Sequence, residues 1–315
     1  MKEKLKERIS KRQQGRCAIS KENLPDLTSL YDTDRKKEKM NGGTYTDDNT
    51  RLLTPLAHMQ RHGNFRKREE ELDELKRMVD AKEQLIKLRN KINNQLLAYK
   101  RKTDQLDQHI INLLVAQEKE TAKEVGKQER KISKLVKKIA TIDPITNSAL
   151  GLRSVGENTL AYLLVYIDIE KARHPSSLWK YAGLHAASHE RYQKGIAGGG
   201  NKRLRSALWN MANSQVKQHG PYREVYDNVK NRLSVSEKKT KTRNTQGKEV
   251  VCMWKDTKTG HRAGAALRAI MKHFLADYWY VARKLNGLET NPTYAEAQLG
   301  MSHKTINPKN RGWEF

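Results

Sequence analysis

Several groups of residues in this chain have types and spacings suited to chemistry on phosphate esters. Asp32, Asp34, His58 and His62 offer the carboxylate oxygens and imidazole nitrogens that hold a divalent cation such as Mg²⁺. Ser188 is a candidate nucleophile; a serine hydroxyl needs a base to take its proton, and His189 and Glu190 follow it directly. Tyr192 is a second hydroxyl in the same stretch. The run Gly198-Gly199-Gly200-Asn201-Lys202-Arg203-Leu204-Arg205 joins backbone freedom to positive charge. Its glycines let a phosphate approach the main chain, and Lys202, Arg203 and Arg205 supply charge beside it. Gly156 reads as a tight turn opening a helix capped by Asn158 or Thr159. Free N–H groups at such a helix start can hold a phosphate without reading sequence. Lys239, Lys241 and Arg243 form a further basic cluster that either tracks a nucleic-acid backbone, with Lys255, Lys258, His261 and Arg262, or is a solvated loop. Asp168 and Glu170 resemble a metal carboxylate pair, but Lys171 and Arg173 beside them favour surface ion pairing. Trp179, Tyr181 and Trp209 can stack on bases, although aromatic residues at helical spacing more often fill a core.

The background to these groups is strongly basic. The chain has 315 residues, 62 Lys+Arg against 36 Asp+Glu, and a formal net charge of +26. Such a field points to a nucleic-acid partner. Its mean hydropathy is −0.89. No run approaches the roughly 18 apolar residues of a membrane span, and Met1-Lys2-Glu3-Lys4 has no apolar stretch behind it, so neither a span nor a secretory signal is expected. Two cysteines, Cys17 and Cys252, cannot build a disulfide framework. The expected setting is therefore cytoplasmic.

The elements that must position these groups divide the chain in three: 1–64, 65–143 and 144–315. Net charges of +5, +6 and +15 fall on them in turn. The middle part holds no Pro, and Gly126 is its one Gly. Met78, Ala81, Leu85, Leu88, Ile92, Gln95 and Tyr99 recur at spacings of three and four, the seam of a coiled coil. Leu106, Ile110, Leu113 and Leu114, then Ile132, Leu135, Val136 and Ile139, make a second apolar set. Lys100–Asp104 reads as a turn between two antiparallel helices, which form either a hairpin or an arm that joins two copies of the chain. Pro144 ends the arm. A helical domain follows, broken at Gly220-Pro221 and resuming over Tyr222–Leu233. Residues 234–262 read as a basic loop with a short hairpin around Val250-Val251-Cys252-Met253-Trp254, Ala263–Leu285 as an amphipathic helix, and the tail from Asn286 as a surface segment. The fold class is mainly α, with a small ββα finger at the N-terminus.

Residues 15–64 resemble the HNH endonuclease motif, a ββα-metal finger. The layout runs Gly15-Arg16-Cys17, Asp32-Thr33-Asp34-Arg35, Gly42-Gly43-Thr44, Asp48-Asn49, Leu52-Leu53-Thr54-Pro55, His58 and His62. The resemblance implies metal ligands at Asp34 and His58 and a catalytic-site Asn at Asn49. Its general-base His is replaced by Arg35, which stays protonated and cannot accept a proton from water. Of its four zinc positions only Cys17 remains, with Ser20, Thr54 and Ala57 at the others; one cysteine cannot close such a site. Three readings stand: a degenerate finger that grips DNA without cutting, a divergent Mg²⁺ nuclease, or a coincidental match.

Residues 150–215 resemble the C-terminal domain of insertion-sequence transposases of the bridge-RNA-guided recombinase group. The order is Leu152–Ala161, which has the shape of a helix-hairpin-helix though by itself it reads equally as a helix-turn-helix packing corner, then Tyr181-Ala182-Gly183-Leu184, and Gly200-Asn201 with basic residues opening a helix. The family form has a second glycine where Ser154 stands, and a catalytic Ser followed by Gly where this chain has Ser188 early and without that Gly. Its acidic nuclease domain is replaced by the finger. The resemblance implies DNA as partner, a guide or structured RNA as a further one, and transposition or strand cleavage as the activity. The alternatives are an HNH-type endonuclease and a non-catalytic nucleic-acid-binding descendant.

Overall fold

The computed structural model describes residues 2–24, 32–36, 44–54, 57–58, 64–102, 108–185, 200–244, 246–293 and 306–315. The chain is mainly helical, with two small antiparallel sheets among the described residues. None of those helices is long and apolar enough to cross a membrane.

Helix α1 (Lys2–Arg12) precedes the finger. Its Ile9 enters a small core with Cys17, Leu24, Leu52, Leu53 and Ala57. Strands β1 (Asp32–Arg35) and β2 (Thr50–Leu53) pair antiparallel, setting Asp34 opposite Arg51. The Gln13 side chain locks the strand behind α1: its Nε2 donates to Leu52 O at 3.0 Å, and Leu52 N donates to its Oε1 at 2.8 Å.

The arm consists of α2 (Asn64–Lys102) and α3 (Gln108–Ala140). The two pack against one another as an antiparallel pair. Lys138–Glu71 at 3.1 Å, Lys82–Glu129 at 3.3 Å and Arg89–Glu118 at 2.6 Å fix that direction, since one partner's number falls as the other's rises. Of the expected turn Lys100–Asp104, residues 100–102 are still part of α2, which carries the helix further than expected, and 103–104 lie outside the described residues. The expected seam is only partly correct. Ile92 is buried, but Ala81, Leu88 and Gln95 are exposed, and the buried row at the base is Glu71, Leu75, Val79 and Lys82. In the second set Ile132, Leu135, Val136 and Ile139 are buried, while Ile110 and Leu113 are exposed. The base of α2 meets α5 as well as α3, so its inward row is set by two neighbours rather than one.

Asp143 caps α4 (Pro144–Leu150), accepting from Thr146 N at 3.0 Å, and Pro144 sits in the first turn, where its missing N–H costs nothing. Then come α5 (Glu157–Tyr166), α6 (Pro175–Tyr181), α7 (Lys202–Lys217) and α8 (Arg223–Ser234). Strands β3 (Lys239–Arg243) and β4 (Glu249–Met253) form the expected hairpin. Helix α9 (Thr259–Leu285) packs against α4, α6, α7 and α8, with Ile270, Phe274, Leu275 and Trp279 fully buried. One core runs without interruption from the arm base (Leu75, Val79, Ile132, Val136, Ile139) into these helices.

The tail differs from the surface segment expected. Trp313 and Phe315 are buried in the main core. Arg311 donates through Nη2 to Asp277 Oδ1 at 2.8 Å, Tyr222 donates its hydroxyl to Asp277 Oδ2 at 2.8 Å, and Trp313 Nε1 donates to the Tyr222 hydroxyl at 2.7 Å. Asp277 has no solvent exposure, so these bonds hold a carboxylate that burial would otherwise make costly.

Candidate nucleic-acid interface

The central feature is a pinch between the end of α6 and the start of α7. Trp179 O accepts from Leu184 N at 2.7 Å, which turns the chain at Ala182-Gly183. Gly200 then lies directly on this turn: a Cβ there would fall 2.5 Å from Gly183 N and 2.7 Å from Tyr181 O, and its φ is +75°. Asn201 N donates to Tyr181 O at 2.6 Å. Asn201 also caps α7, accepting from Leu204 N at 3.0 Å, while its Nδ2 donates to the Tyr181 hydroxyl at 3.0 Å. Gly200 therefore serves backbone-to-backbone packing. Residues 186–199, with Ser188, Tyr192 and Gly199, lie outside the described residues, but both described ends of that segment sit on this one turn.

The basic residues of α7 divide. Lys202 is exposed. Arg205 donates to Gly183 O at 2.8 Å and braces the pinch. Arg203 is committed to the arm and α5: it donates to Asp80 at 2.7 Å and to the Tyr166 hydroxyl at 3.0 Å, and lies 3.5 Å from Glu83. Asp80 and Glu83, one turn apart on α2, were not singled out from the sequence; their i,i+3 spacing off the expected seam is the signal that was available.

The α4–α5 corner also departs from expectation. Ser154 has φ +68°, the left-handed conformation that explains why the resembling family has glycine there. Gly156, not Asn158 or Thr159, is the N-cap of α5. Thr159 is buried, and Asn158 accepts from Lys82 Nζ at 3.1 Å. The carboxyl of Glu157 is held below the usual carboxylate range by its own backbone N–H, with Lys137 adding to this at 3.1 Å. A phosphate at this helix start would have to displace the Glu157 carboxylate.

Lys239, Lys241 and Arg243 are all exposed on β3. Lys255 instead pairs with Glu237 at 2.7 Å, and Arg262 donates to Lys255 O at 3.0 Å, so both fasten the base of the hairpin. The Asp168–Lys171 ion pair, 2.9 Å, is as expected; the bond from Lys171 holds the Asp168 carboxyl below its ordinary range. Trp179 donates from Nε1 to Lys272 O at 2.9 Å, and Trp179 and Trp209 pack on the core, while Tyr181 stays 42% exposed.

In the finger, Asp34 is buried and accepts from Arg51 Nε at 2.7 Å, which neutralises the carboxylate expected to bind metal. Asn49 donates from Nδ2 to Thr44 O at 2.8 Å and His58 N donates to Thr54 O at 3.0 Å. His62 lies outside the described residues. Among the described residues no three His, Cys, Asp or Glu side chains gather as metal ligands. Arg35, at the general-base position, lies 4.4 Å over the Tyr45 ring. The four positions that the resemblance assigns to zinc do meet. Thr54 N donates to Cys17 Sγ at 3.4 Å, and Ala57 N donates to Thr54 Oγ1 at 3.3 Å. Burial alone would raise the Cys17 thiol, but bonds from the Ser20 side chain and the Thr54, Ser20 and Ile19 backbone outweigh it and bring it below its ordinary value.

Fold and charge thus define a mainly helical protein whose strongly basic C-terminal part is joined to a hairpin arm. Residues 135–227 match the family model for Transposase IS116/IS110/IS902. The matched stretch runs from the end of α3 through the pinch into α8 and encloses the 150–215 resemblance; it supports an insertion-sequence transposase. No curated protein matches the chain.

Proposed function

We propose that this protein is a transposase-type recombinase of a mobile element that grips DNA mainly through residues 144–315 and breaks or rejoins strands with Ser188 as nucleophile. The pinch carries this reading. It brings the described residues that flank 186–199 together: Gly200 rests on Gly183, beside the Tyr181 hydroxyl, Asn201 and the exposed Lys202. The Ser188 oxygen would attack the scissile phosphorus, its proton passing to a neighbouring base and the leaving strand oxygen taking one in turn. The resulting phosphoserine ester conserves the bond for rejoining. The family match over 135–227 supports the same reading.

A structured guide RNA is the further nucleic-acid partner in this proposal, and the α2–α3 arm is the surface that joins copies of the chain. The finger is read as a gripping element that does not cut, because Asp34 is tied to Arg51 and Arg35 cannot act as base. Mg²⁺ enters only if Asp34 and His58 are released to hold it.

Purified protein incubated with supercoiled plasmid tests the reading. A covalent protein–DNA adduct that disappears in Ser188→Ala supports it. Metal-dependent nicking lost in Asp34→Ala and His58→Ala would place the chemistry in the finger instead. Binding with neither product overturns both catalytic assignments on duplex substrate, and sequencing of co-purifying RNA tests for the guide.

A further inference from the structure

No residue of the paired strands of the β3–β4 hairpin is buried. Alternate residues of a strand share a face, and directly paired residues of an antiparallel ribbon do too. Lys239, Lys241 and Arg243 therefore share one face with Met253, Val251 and Glu249, while Thr240, Thr242, Cys252 and Val250 form the other. The cations stand about 6.8 Å apart along the strand. Val251 is 60% exposed and Met253 36%, so the cationic face has an apolar strip at its side. Glu249 offsets part of the charge, lying 3.0 Å from Lys241.

Two-stranded ribbons are marginal alone, but this one is braced at both ends. At its tip the Asn244 side chain accepts from Gln246 N and from Lys248 N, at 3.0 and 2.9 Å. At its base Trp254 N donates to Lys238 O and Lys255 N to Ser236 O, both at 3.0 Å, and the Trp254 and His261 rings lie 5.1 Å apart. Arg262 fastens the same corner through Lys255 O. A row of exposed cations on a stiff ribbon attracts a polyanion.

We propose that this ribbon lays its Lys239–Lys241–Arg243 face into the major groove of duplex DNA. The B-form major groove, about 12 Å wide, admits a two-stranded ribbon, whereas the major groove of A-form RNA is too narrow for side chains to read. Lys and Arg suit the O6 and N7 acceptors of guanine, and Val251 and Met253 suit the thymine methyl. The proposal rests on the DNA-binding reading above and assigns a particular element and groove to it.

The experiment uses the full chain, a labelled DNA duplex, the same duplex with 7-deazaguanine in place of guanine, and an RNA duplex of the same sequence. The variants are Lys239→Ser/Lys241→Ser/Arg243→Ser together, and Val251→Ser alone. The triple variant should bind the DNA duplex at least about tenfold more weakly, with a flatter dependence on salt. Wild type should lose affinity on the 7-deazaguanine duplex, which lacks the major-groove N7, and the triple variant should no longer distinguish the two. Val251→Ser, which keeps every charge, should weaken binding with an unchanged salt slope. Melting curves matching wild type exclude unfolding as the cause. Wild-type binding to DNA with unchanged affinity in the triple variant, or indifference to 7-deazaguanine, overturns the ribbon assignment and leaves the DNA-binding reading standing. Preference for the RNA duplex overturns the choice of groove. A wild-type chain that binds no DNA overturns both.

Discussion

Gly200 rests on Gly183 so closely that a Cβ at position 200 would fall 2.5 Å from the Gly183 nitrogen. The contact joins the end of α6 to the start of α7 across a stretch of chain that leaves and returns at one point. The obstacle is backbone, which cannot rotate away as a side chain can, and the φ of +75° disfavours any other residue independently.

Gly200→Ala should therefore destabilise the protein by about 2–4 kcal/mol, combining the clash with the positive φ. Gly247, also at positive φ (+79°) but with nothing within 4 Å of its Cβ position, is the control: Gly247→Ala should cost only about 1 kcal/mol. Denaturant unfolding of both variants measures the difference. Equal losses would show that the pinch is not tight in solution.

Lys272 carries the pH prediction. Burial, and then the like charge of Arg268, lower its pKa. A base whose folded pKa lies below its unfolded value holds its proton less tightly when folded, so the charged form opposes folding. The cost is complete below the folded pKa and vanishes above the unfolded value of about 10.4. Lys272→Met should raise the melting temperature at neutral pH, with a gain that shrinks as pH climbs towards that value. The 5.5 Å contact of Lys272 Nζ with the Trp179 ring offsets part of the gain. A gain that is the same at all pH values would contradict the assignment.

Arg311→Ala should cost about 3–5 kcal/mol, because it leaves the Asp277 carboxylate buried with its charge unpaired. Asp277→Asn in the same background should recover part of the loss by removing that charge. Thermal melts of the single and double variants decide it, and additive losses would show that the two groups do not interact.

Around Cys17, the finger holds hydrogen bonds where the resembling motif holds a metal. If the positions are equivalent, Ser20→Cys/Thr54→Cys/Ala57→Cys together should bind Co²⁺ with the intense visible absorption of a tetrahedral thiolate site. Weak octahedral absorption, or none, would remove the support that the convergence of these four positions lends to the finger assignment.

The helices were readable because their causes are local. A proline-free middle third with apolar residues every three or four positions forms α2 and α3, and Pro144 fits only a first turn. The strand signal Val250-Val251-Cys252-Met253 was equally local. Which row of α2 turns inward was not readable, because Glu71, Leu75, Val79 and Lys82 answer to α3 and α5 together. Nor was the fate of Trp313 and Phe315, whose partners Tyr222, Phe274 and Tyr280 are tens of residues away.

The candidate site divides in the same manner. Composition and motif order alone placed the positive charge in the C-terminal part, the turn at Tyr181–Leu184 and the transposase-like stretch, since charge and glycine content belong to the residues themselves. Which cations face outward was decided by the tertiary structure. Arg203 is drawn to Asp80 and Tyr166, Arg205 to Gly183 and Arg262 to the hairpin base, whereas Lys239, Lys241 and Arg243 stand exposed on β3. A guanidinium bonds the nearest carboxylate or carbonyl that the fold brings to it, and that neighbour is set by packing between distant segments.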